Sequence, residues 1–419
     1  MALNIQKLNL KFSSNIAFFL LMGITLLILT IILFPSQGTG DLANGFLLWL
    51  DRAESVGFVE SFNRTITAYP PFYILVPFLL NQLFGFSFFV SYKIFLLIGI
   101  VALSISVYRL SKSKLTSLLT YLALLVPTIG LGYGDVFLSA LILFSLKFLV
   151  SNRPIVSGMI FSLAISLKFT PLILLPVIAL ILFNNNGGLK KISNVSKQFT
   201  RFASGVMVFP AGISAIFSPF SYLENLKLAL LNGYLSGQAL NLGWLITSYK
   251  ELFGEESERM LVPGVIRFTY VDVHSLLYMS MKYSATIIIV IYLFTKINVI
   301  LDFLSAVKIS VIVLWIYYTI APGVHENHLL IIAPFCLILW NFRKLEGYLF
   351  GYVLVLSIVN PMIFYGLTGD VPLLRIILGL DYTIVLSVLN IIIFCTCIVV
   401  NLMRRNMKHR KQVKIPRFN

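Results

Sequence analysis

The segment GVHENHLL at residues 323–330 places two histidines, a glutamate and an asparagine directly before a long apolar run. His325 and His328 are three residues apart, so their imidazoles would share one face of a helix. An imidazole donates a hydrogen bond, and when protonated it also carries a positive charge. This pair is therefore suited to binding a phosphate or to stabilising a leaving group. Glu326 would contact a substrate or orient one of the histidines.

Two other interpretations of this segment stay open. The histidines could serve only as caps of the apolar helix that follows them. A metal site is disfavoured, because the spacing of His325 and His328 differs from the i, i+4 pair of a zincin helix and no third ligand is evident. We therefore predict that this segment holds no metal ion and no cofactor.

Asp41 stands in the glycine-flanked segment QGTGDLANGF, shortly after the first apolar run. Glycines let the backbone approach a ligand closely. A carboxylate there could act as a general base if partial burial raised its pKa towards neutrality. Alternatively, Asp41 caps the helix predicted to follow it. The sequence leaves both interpretations open.

Ionisable residues within membrane-spanning segments are energetically costly, which makes them functional candidates. Lys168, in AISLKFTPLILL, could bind phosphate or simply extend to the membrane surface. Asp135, in GYGD, could contact a sugar hydroxyl, or it could be an ordinary turn residue. Arg375 could reach a diphosphate or a lipid headgroup, and the ring of Tyr69 could stack on a sugar. Lys93 and Asp381 complete the set of ionisable candidates at apolar segments.

The elements that position these residues are predicted to be transmembrane helices. Of the 419 residues, 58% are hydrophobic and 11% are charged, and the mean hydropathy is +0.93. Soluble domains are about half apolar and a quarter charged, so the composition excludes a soluble protein. We predict an all-α polytopic membrane protein, a single domain over residues 1–419 with about twelve spans. The predicted spans are 17–34, 87–108, 115–131, 134–150, 154–167, 170–183, 202–218, 273–295, 303–320, 328–341, 348–365 and 381–403.

The distribution of charge predicts the orientation of these spans. The formal net charge is +16, with 32 lysines and arginines. Most of them fall in short loops on one side of the predicted membrane, which is the side that faces the cytoplasm. This distribution also argues against nucleic acid as a partner. The basic tail, 404–419, is predicted to contact anionic lipids.

Two long segments are predicted on the outer side, residues 35–86 and residues 219–272. The stretch YPPFYILVPFLLNQLF at 69–84 is apolar, but counting it as a span would place the basic segment RLSKSK outside. We therefore predict a juxtamembrane helix along the outer surface. In this topology every ionisable candidate lies near the outer face, as expected of a site that reaches lipid headgroups.

The order of these motifs resembles the GT-C class of integral membrane glycosyltransferases. An aspartate follows the first span, YPP opens a juxtamembrane helix, SLKFTPL lies in mid-chain, and HENHLL comes late. The sequence is most similar to the polyprenyl-phosphate-mannose-dependent mannosyltransferases. The resemblance implies a lipid-linked sugar donor, inversion at the anomeric carbon, and Asp41 as the base that activates the acceptor. It also places His325 and Lys168 near the donor phosphate.

The expected function is transfer of a sugar, mannose or another hexose, from a polyprenyl phosphate to a lipid or glycan acceptor. The expected location is the plasma or inner membrane, with the active site on its outer face. Two alternatives remain at this stage. A flippase of lipid-linked sugars would need alternating access and would retain activity without Asp41 as a base. An O-antigen-type polymerase should have a basic outer loop, whereas residues 219–272 are acidic on balance.

Overall fold

The computed structural model describes residues 21–39, 42–64, 69–231, 233–252, 271–342, 347–369, 376–377 and 380–412. Two of the candidate residues, Asp41 and Arg375, lie outside these ranges. The described chain is almost entirely helical, which confirms the predicted all-α class. The first half contains α1 (Leu21–Leu33), α2 (Leu47–Val56), α3 (Phe58–Arg64), α4 (Phe72–Phe84), α5 (Phe88–Ser111), α6 (Lys114–Leu125), α7 (Asp135–Val150), α8 (Pro154–Leu167) and α9 (Leu175–Asn185).

The second half continues the bundle and adds two very short strand pairs. Its helices are α10 (Ile192–Val206), α11 (Val208–Ile216), α12 (Pro219–Leu230), α13 (Leu242–Leu252), α14 (Leu276–Phe294), α15 (Phe303–Ile320), α16 (Ala333–Phe342), α17 (Gly347–Tyr365) and α18 (Tyr382–Gln412). The strands are β1 (Ser236–Gly237), β2 (Val324–His325), β3 (Ile376–Ile377) and β4 (Leu380–Asp381). The sequence did not predict these strands.

Tighter or wider helical turns adjoin several of these helices. Leu42–Phe46 and Val126–Gly130 are π-helical turns that precede α2 and follow α6. Thr170–Leu174 and Glu326–Ile332 are 3-10 helices that lead into α9 and α16. Helix segments of these kinds are often found at functional sites or hinges.

Helix boundaries follow local capping chemistry. Ser87 accepts a hydrogen bond from the backbone N–H of Val90 and begins α5. Asp302 does the same for Ser305 at the start of α15, at 2.7 Å. α5 ends where Lys112 takes a left-handed conformation and donates its N–H to the carbonyl of Tyr108. These caps satisfy backbone groups that a helix end leaves without partners.

Every one of the twelve predicted spans contains helix in the described residues. Within those residues, five helices are long and apolar enough to cross a membrane, namely Phe88–Ser111, Gly188–Ile216, Leu276–Phe294, Phe303–Ile320 and Tyr348–Tyr365. The other predicted spans correspond to shorter helices, so their crossing of the membrane stays a prediction. The protein is thus a helical membrane protein with five candidate spans, and the number twelve is not established.

The predicted outer segments are themselves partly helical. Residues 35–86 include α2, α3 and α4. Residues 219–272 include α12, β1 and α13, which the sequence interpretation treated as a loop. How these helices lie relative to a membrane surface stays a prediction.

Small residues allow close helix packing beside the central helices. A Cβ on Gly158 of α8 would lie 2.2 Å from the carbonyl oxygen of Phe202, and one on Gly205 would lie 2.2 Å from that of Ile155. α8 and α10 therefore pack backbone against backbone, as is common between membrane helices. α7 and α8 are joined by the hydroxyls of Ser145 and Ser157, which are 3.0 Å apart.

Candidate active site

A cavity of about 410 Å³ lies where α8 and α15 end and the 3-10 helix Glu326–Ile332 begins. Its volume falls within the range of pockets that bind small ligands. Its lining combines polar and charged side chains with apolar residues of α12 and of the Thr170–Leu174 turn. The polar lining residues include Tyr69, Lys168, Thr170, His325, Asn327 and His328.

Lys168 lies at the wall of this cavity because α8 ends immediately before it. Its backbone is extended, while its N–H still bonds the carbonyl of Ala164 at 3.1 Å. Its Nζ lies 3.0 Å from Oδ1 of Asp135, and the two side chains are 8% and 2% exposed. The ring of Tyr69 is 5.7 Å from the same Nζ. A buried ammonium is thus held between a carboxylate and an aromatic face, which offsets part of its desolvation cost.

Asp135 is the first residue of α7 and follows the N-cap residue Gly134. From the sequence it could contact a sugar hydroxyl or be an ordinary turn residue, and it is not among the residues that line the cavity. Its carboxylate instead bonds Lys168. The geometry therefore gives Asp135 a role that the sequence interpretation did not include, as the counter-ion that fixes the lysine.

His325 is fixed by a short parallel strand pair. β1 aligns Ser236 with Val324 and Gly237 with His325. The imidazole packs edge-on against the ring of Tyr234, with centroids 5.6 Å apart. A side chain at position 237 would collide with it, because a Cβ there would lie 2.3 Å from Nδ1 of His325. Glycine at 237 is therefore needed for the imidazole to occupy this position.

His328 combines two of the roles considered from the sequence. Its Nδ1 lies 3.3 Å from the backbone N–H of His325 and accepts its hydrogen bond, so the ring caps the 3-10 helix. This bond leaves Nδ1 without a proton, and Nε2 is then the nitrogen that can donate. The ring also lines the cavity and packs against His325, with centroids 5.4 Å apart. Capping and ligand contact are compatible at this residue.

Glu326 lies behind the histidines and is 3% exposed. Its Oε1 accepts a hydrogen bond from the hydroxyl of Tyr133, and its Oε2 is 4.0 Å from Nδ1 of His325. Its backbone carbonyl accepts from the amide of Asn360 at 3.1 Å. Glu326 does not line the cavity, so the geometry agrees with a role in orienting His325.

The cavity wall keeps His325 neutral when the site is empty. Burial, and to a smaller extent the charge of Lys168, lowers the pKa of its imidazole from 6.5 to about 4. A neutral imidazole still donates one hydrogen bond. A bound anion would favour the protonated form, so ligand binding and proton uptake at His325 are coupled.

The segments flanking Asp41 lie against the turn that joins α6 to α7. The N–H of Thr39 bonds the carbonyl of Leu131 at 3.0 Å, and that of Leu42 bonds the carbonyl of Thr39 at 2.9 Å. Leu42 is 1% exposed. The same turn carries Tyr133 and, at its end, Asp135. Asp41 itself lies outside the described residues, as does Arg375, so their roles stay predictions.

Lys93 and Asp381, like Asp135 and Glu326, are ionisable candidates that do not line the cavity. Lys93 is fully buried, and its Nζ donates to the carbonyl of Ile129 and to the hydroxyl of Ser36. It thereby joins the end of α1 to the end of α6. Asp381 accepts a hydrogen bond from the backbone N–H of Thr383 at 3.0 Å, at the start of α18. Both act in the scaffold in this structure.

Sequence reasoning missed several residues of this site. Tyr133 lies in the GYGD segment, in which the sequence analysis considered only the carboxylate of Asp135. Asn327 is within HENH, and the segment from Tyr234 to Gly237 carries no recognisable motif. Asn360 is an amide in an apolar helix, directly before Pro361. A polar residue inside an apolar run is a signal that could have identified Asn360.

Within the described ranges, no group of three histidine, cysteine, aspartate or glutamate side chains is arranged to hold a metal ion. That the reaction proceeds without a metal ion stays a prediction. The three cysteines are not paired with each other, and Cys336 is buried in the core.

These features define a helical membrane protein with a cavity that presents a buried cation and two imidazoles at one end of its bundle. The model of glycosyltransferase family 87 matches residues 67–230. This match supports a membrane glycosyltransferase, and the chain is accordingly a glycosyltransferase enzyme, as the sequence predicted. The matched range includes Tyr69, Asp135 and Lys168 and ends before the histidines. No curated protein matches the chain.

Proposed function

We propose that this glycosyltransferase moves a sugar, mannose or another hexose, from a polyprenyl-phosphate donor to a lipid or glycan acceptor, with inversion. The observation that carries the proposal is the cavity in which Lys168, His325 and His328 meet. A polyprenyl-phosphate sugar has one anionic group, next to the bond that breaks. Three basic side chains around one cavity supply a matching site for it.

The charge of the donor phosphate grows as the sugar leaves. Groups that are already oriented towards this charge stabilise the transition state more than the ground state. Lys168 is suited to this task because Asp135 and Tyr69 hold its side chain in place. His325 and His328 would donate hydrogen bonds, and Arg375 is proposed as a further phosphate ligand.

The displacement needs a base on the side opposite the phosphate. In the proposed step, the acceptor hydroxyl oxygen bonds to the anomeric carbon while the carbon–oxygen bond to the phosphate breaks. The hydroxyl proton passes to the carboxylate of Asp41, and the polyprenyl phosphate leaves with the bonding electrons. A single displacement of this kind inverts the anomeric centre and needs no covalent intermediate.

The apolar wall of the cavity is compatible with a donor that carries a lipid tail. Leu172, Ile173, Ala229 and Leu230 line it, and Leu230 is 51% exposed. An isoprenoid chain cannot leave the bilayer without a large hydrophobic cost. A membrane-embedded enzyme with an apolar opening beside its phosphate site avoids that cost. Tyr69 is proposed to contact the substrate from the opposite side.

The proposal is tested by incubating the purified protein with polyprenyl-phosphate sugars and membrane lipid extracts, followed by mass spectrometry of the products. Transfer of a hexose to a lipid or glycan is the expected result. Asp41→Asn should nearly abolish transfer, since general base catalysis contributes about 10²–10⁴-fold. Its folding and donor binding should stay near those of the wild type.

Two outcomes would contradict this function. Substantial transfer by Asp41→Asn would exclude Asp41 as the base and favour its role as a helix cap, because asparagine caps about as well as aspartate. Movement of intact lipid-linked sugar across proteoliposomes, without transfer, would instead identify a flippase.

The proposed location is the outer face of the plasma or inner membrane. Phe86, between α4 and α5, is at the cavity end, whereas Leu189 is at the opposite end and 80% exposed. In a cysteine-free background, an impermeant thiol reagent added outside cells should label Phe86→Cys and spare Leu189→Cys. The reverse labelling pattern would place the cavity on the cytoplasmic side.

A further inference from the structure

One side chain of the cavity has a polar atom that the protein leaves without a partner. Asn327 is 4% exposed and lines the cavity between the two histidines in sequence. Its Oδ1 is buried and has no hydrogen-bond partner among the described residues. Buried amide groups in native proteins are almost always paired, so this exception requires an explanation.

Two other buried asparagines of the bundle have hydrogen-bond partners for both atoms of the amide. The amide of Asn360 accepts from the N–H of Leu240 and donates to the carbonyl of Glu326. Asn390 accepts from the indole of Trp315 and donates to the carbonyl of Leu240. The amide oxygen of Asn327 differs from those of Asn360 and Asn390, and the residue lines the cavity in which a substrate would lie.

We propose that the amide of Asn327 binds a hydroxyl group of the transferred sugar and selects among hexoses. This inference rests on the proposed function, since it names the sugar subsite of the same cavity. A neutral amide offers both an acceptor and a donor, which matches the hydroxyls of a sugar. A phosphate oxygen, by contrast, would be repelled by an amide oxygen. The phosphate is already proposed to be bound by Lys168 and the two histidines.

The position of Asn327 agrees with this assignment. The sugar is bonded directly to the phosphate, so it lies within a few bond lengths of the groups that hold the phosphate. Asn327 is adjacent to His328 and two residues from His325. A site that hydrogen-bonds a hydroxyl discriminates strongly against analogues without it, because the buried polar group then stays unpaired.

The test compares donors that differ by one hydroxyl. The probes are farnesyl-phosphate mannose and its monodeoxy analogues at C2, C3, C4 and C6, with the acceptor identified in the transfer assay. The wild type should lose about 10- to 100-fold in kcat/KM with one of the deoxy donors. Asn327→Leu should show a similar loss with the parent donor and no further loss with that deoxy donor.

Stability measurements separate this role from a structural one. Leucine is close in size to asparagine and removes an unpartnered polar group, so Asn327→Leu should melt at or above the wild-type temperature. Asn184→Ala is the matched control, because Asn184 donates to the carbonyls of Lys296 and Val299 away from the cavity. It should lower the melting temperature and keep the wild-type preference among donors.

Three results would overturn the inference. Asn327→Leu could retain the wild-type preference among donors, it could lose activity by the same factor with every donor, or it could be destabilised as much as Asn184→Ala. Absence of transfer by the wild type from every polyprenyl-phosphate hexose, mannose included, would be a different result, since it would refute the proposed function and this subsite with it.

Discussion

The two ends of the helix bundle contain the same basic residue types in opposite environments. At the cavity end, Lys168 is buried against Asp135 and Tyr69. At the other end, where α7 is followed by α8 and α9 by α10, the basic residues are exposed. They include Lys147, Arg153, Lys190, Lys191, Lys197 and Arg201.

This difference shows why position decides the function of a charge. An exposed lysine keeps its hydration, so it needs no particular partner and contributes mainly to orientation in the membrane. A buried lysine loses its hydration and persists only with a carboxylate, hydrogen-bond acceptors or a ligand. The cavity end therefore has the costly arrangement, which a protein retains where it serves binding or catalysis.

The largest difference between the ends should appear when a lysine is replaced. Lys168→Met removes a proposed phosphate ligand and leaves Asp135 as a buried carboxylate without its counter-ion. Transfer should fall by at least about 10²-fold, and the free energy of unfolding by about 3–5 kcal/mol. Lys190→Met should change stability by no more than about 0.5 kcal/mol. Transfer assays and thermal unfolding in detergent measure both effects.

The double variant Lys168→Met/Asp135→Asn separates catalysis from stability. It has no unpaired buried charge, so most of the lost stability should return while transfer stays low. Recovery of transfer in the double variant would show that Lys168 does not contact the donor. If Lys190→Met lost as much transfer activity and stability as Lys168→Met, the two ends of the bundle would not differ in this respect.

The next effect concerns the imidazole at the cavity. His325→Ala should lower the turnover rate by about 10²–10³-fold and donor affinity much less, because a group that meets developing charge acts in the transition state. His274→Ala, which changes an exposed histidine before α14, is the control and should be silent. If donor affinity falls while turnover is unchanged, His325 is a binding residue only.

A smaller effect is expected from the glycine that makes room for His325. Gly237→Ala should lower transfer about tenfold, since the new Cβ forces the imidazole from its position. Gly212→Ala is the matched control, because nothing lies within 4 Å of a Cβ there. Steady-state kinetics on both variants test this, and wild-type activity in Gly237→Ala would show that the position of His325 tolerates displacement.

A further effect is a dependence of stability on pH. The pKa of His325 is lowered to about 4 by burial and by Lys168, whereas the unfolded chain has the ordinary value of about 6.5. Between these values the unfolded state binds a proton that the native state does not, so stability falls as the pH decreases from 6.5 to 4. The other ionisable groups around His325 are His328, Glu326 and Lys168, and a substitution of His325 alone leaves them in place.

The comparison is the melting temperature of the wild type and of His325→Gln at pH 7 and at pH 4.5. The wild type should lose more on acidification, because glutamine does not titrate. Parallel losses in the two proteins would mean that His325 has an ordinary pKa in the native state.

The helices could be predicted from sequence because their signal is local. Long apolar runs such as 303–320 and 87–108 appear as α15 and α5 with nearly the same boundaries, since the chain must satisfy its backbone hydrogen bonds within each segment. The enzyme class also followed from the order of motifs, and the family match supports it. The number of spans was less secure, because several helices are shorter than a membrane is thick.

The sequence alone determined which residues were candidates, because charges in apolar segments are conspicuous wherever they occur. It identified Lys168, His325 and His328, but it could not state what each one touches. The pairing of Lys168 with Asp135 joins residues 33 positions apart, and that of Tyr133 with Glu326 joins residues 193 positions apart.

Only the tertiary structure decided these pairings, and with them the position of Asp135 as the counter-ion of Lys168. It also decided that Gly237 must lack a side chain and that the amide oxygen of Asn327 stays without a partner. The physical reason is that the burial of a side chain and its contact partners depend on which helix ends meet in the fold. The sequence pattern, by contrast, indicates only which residues share one helix.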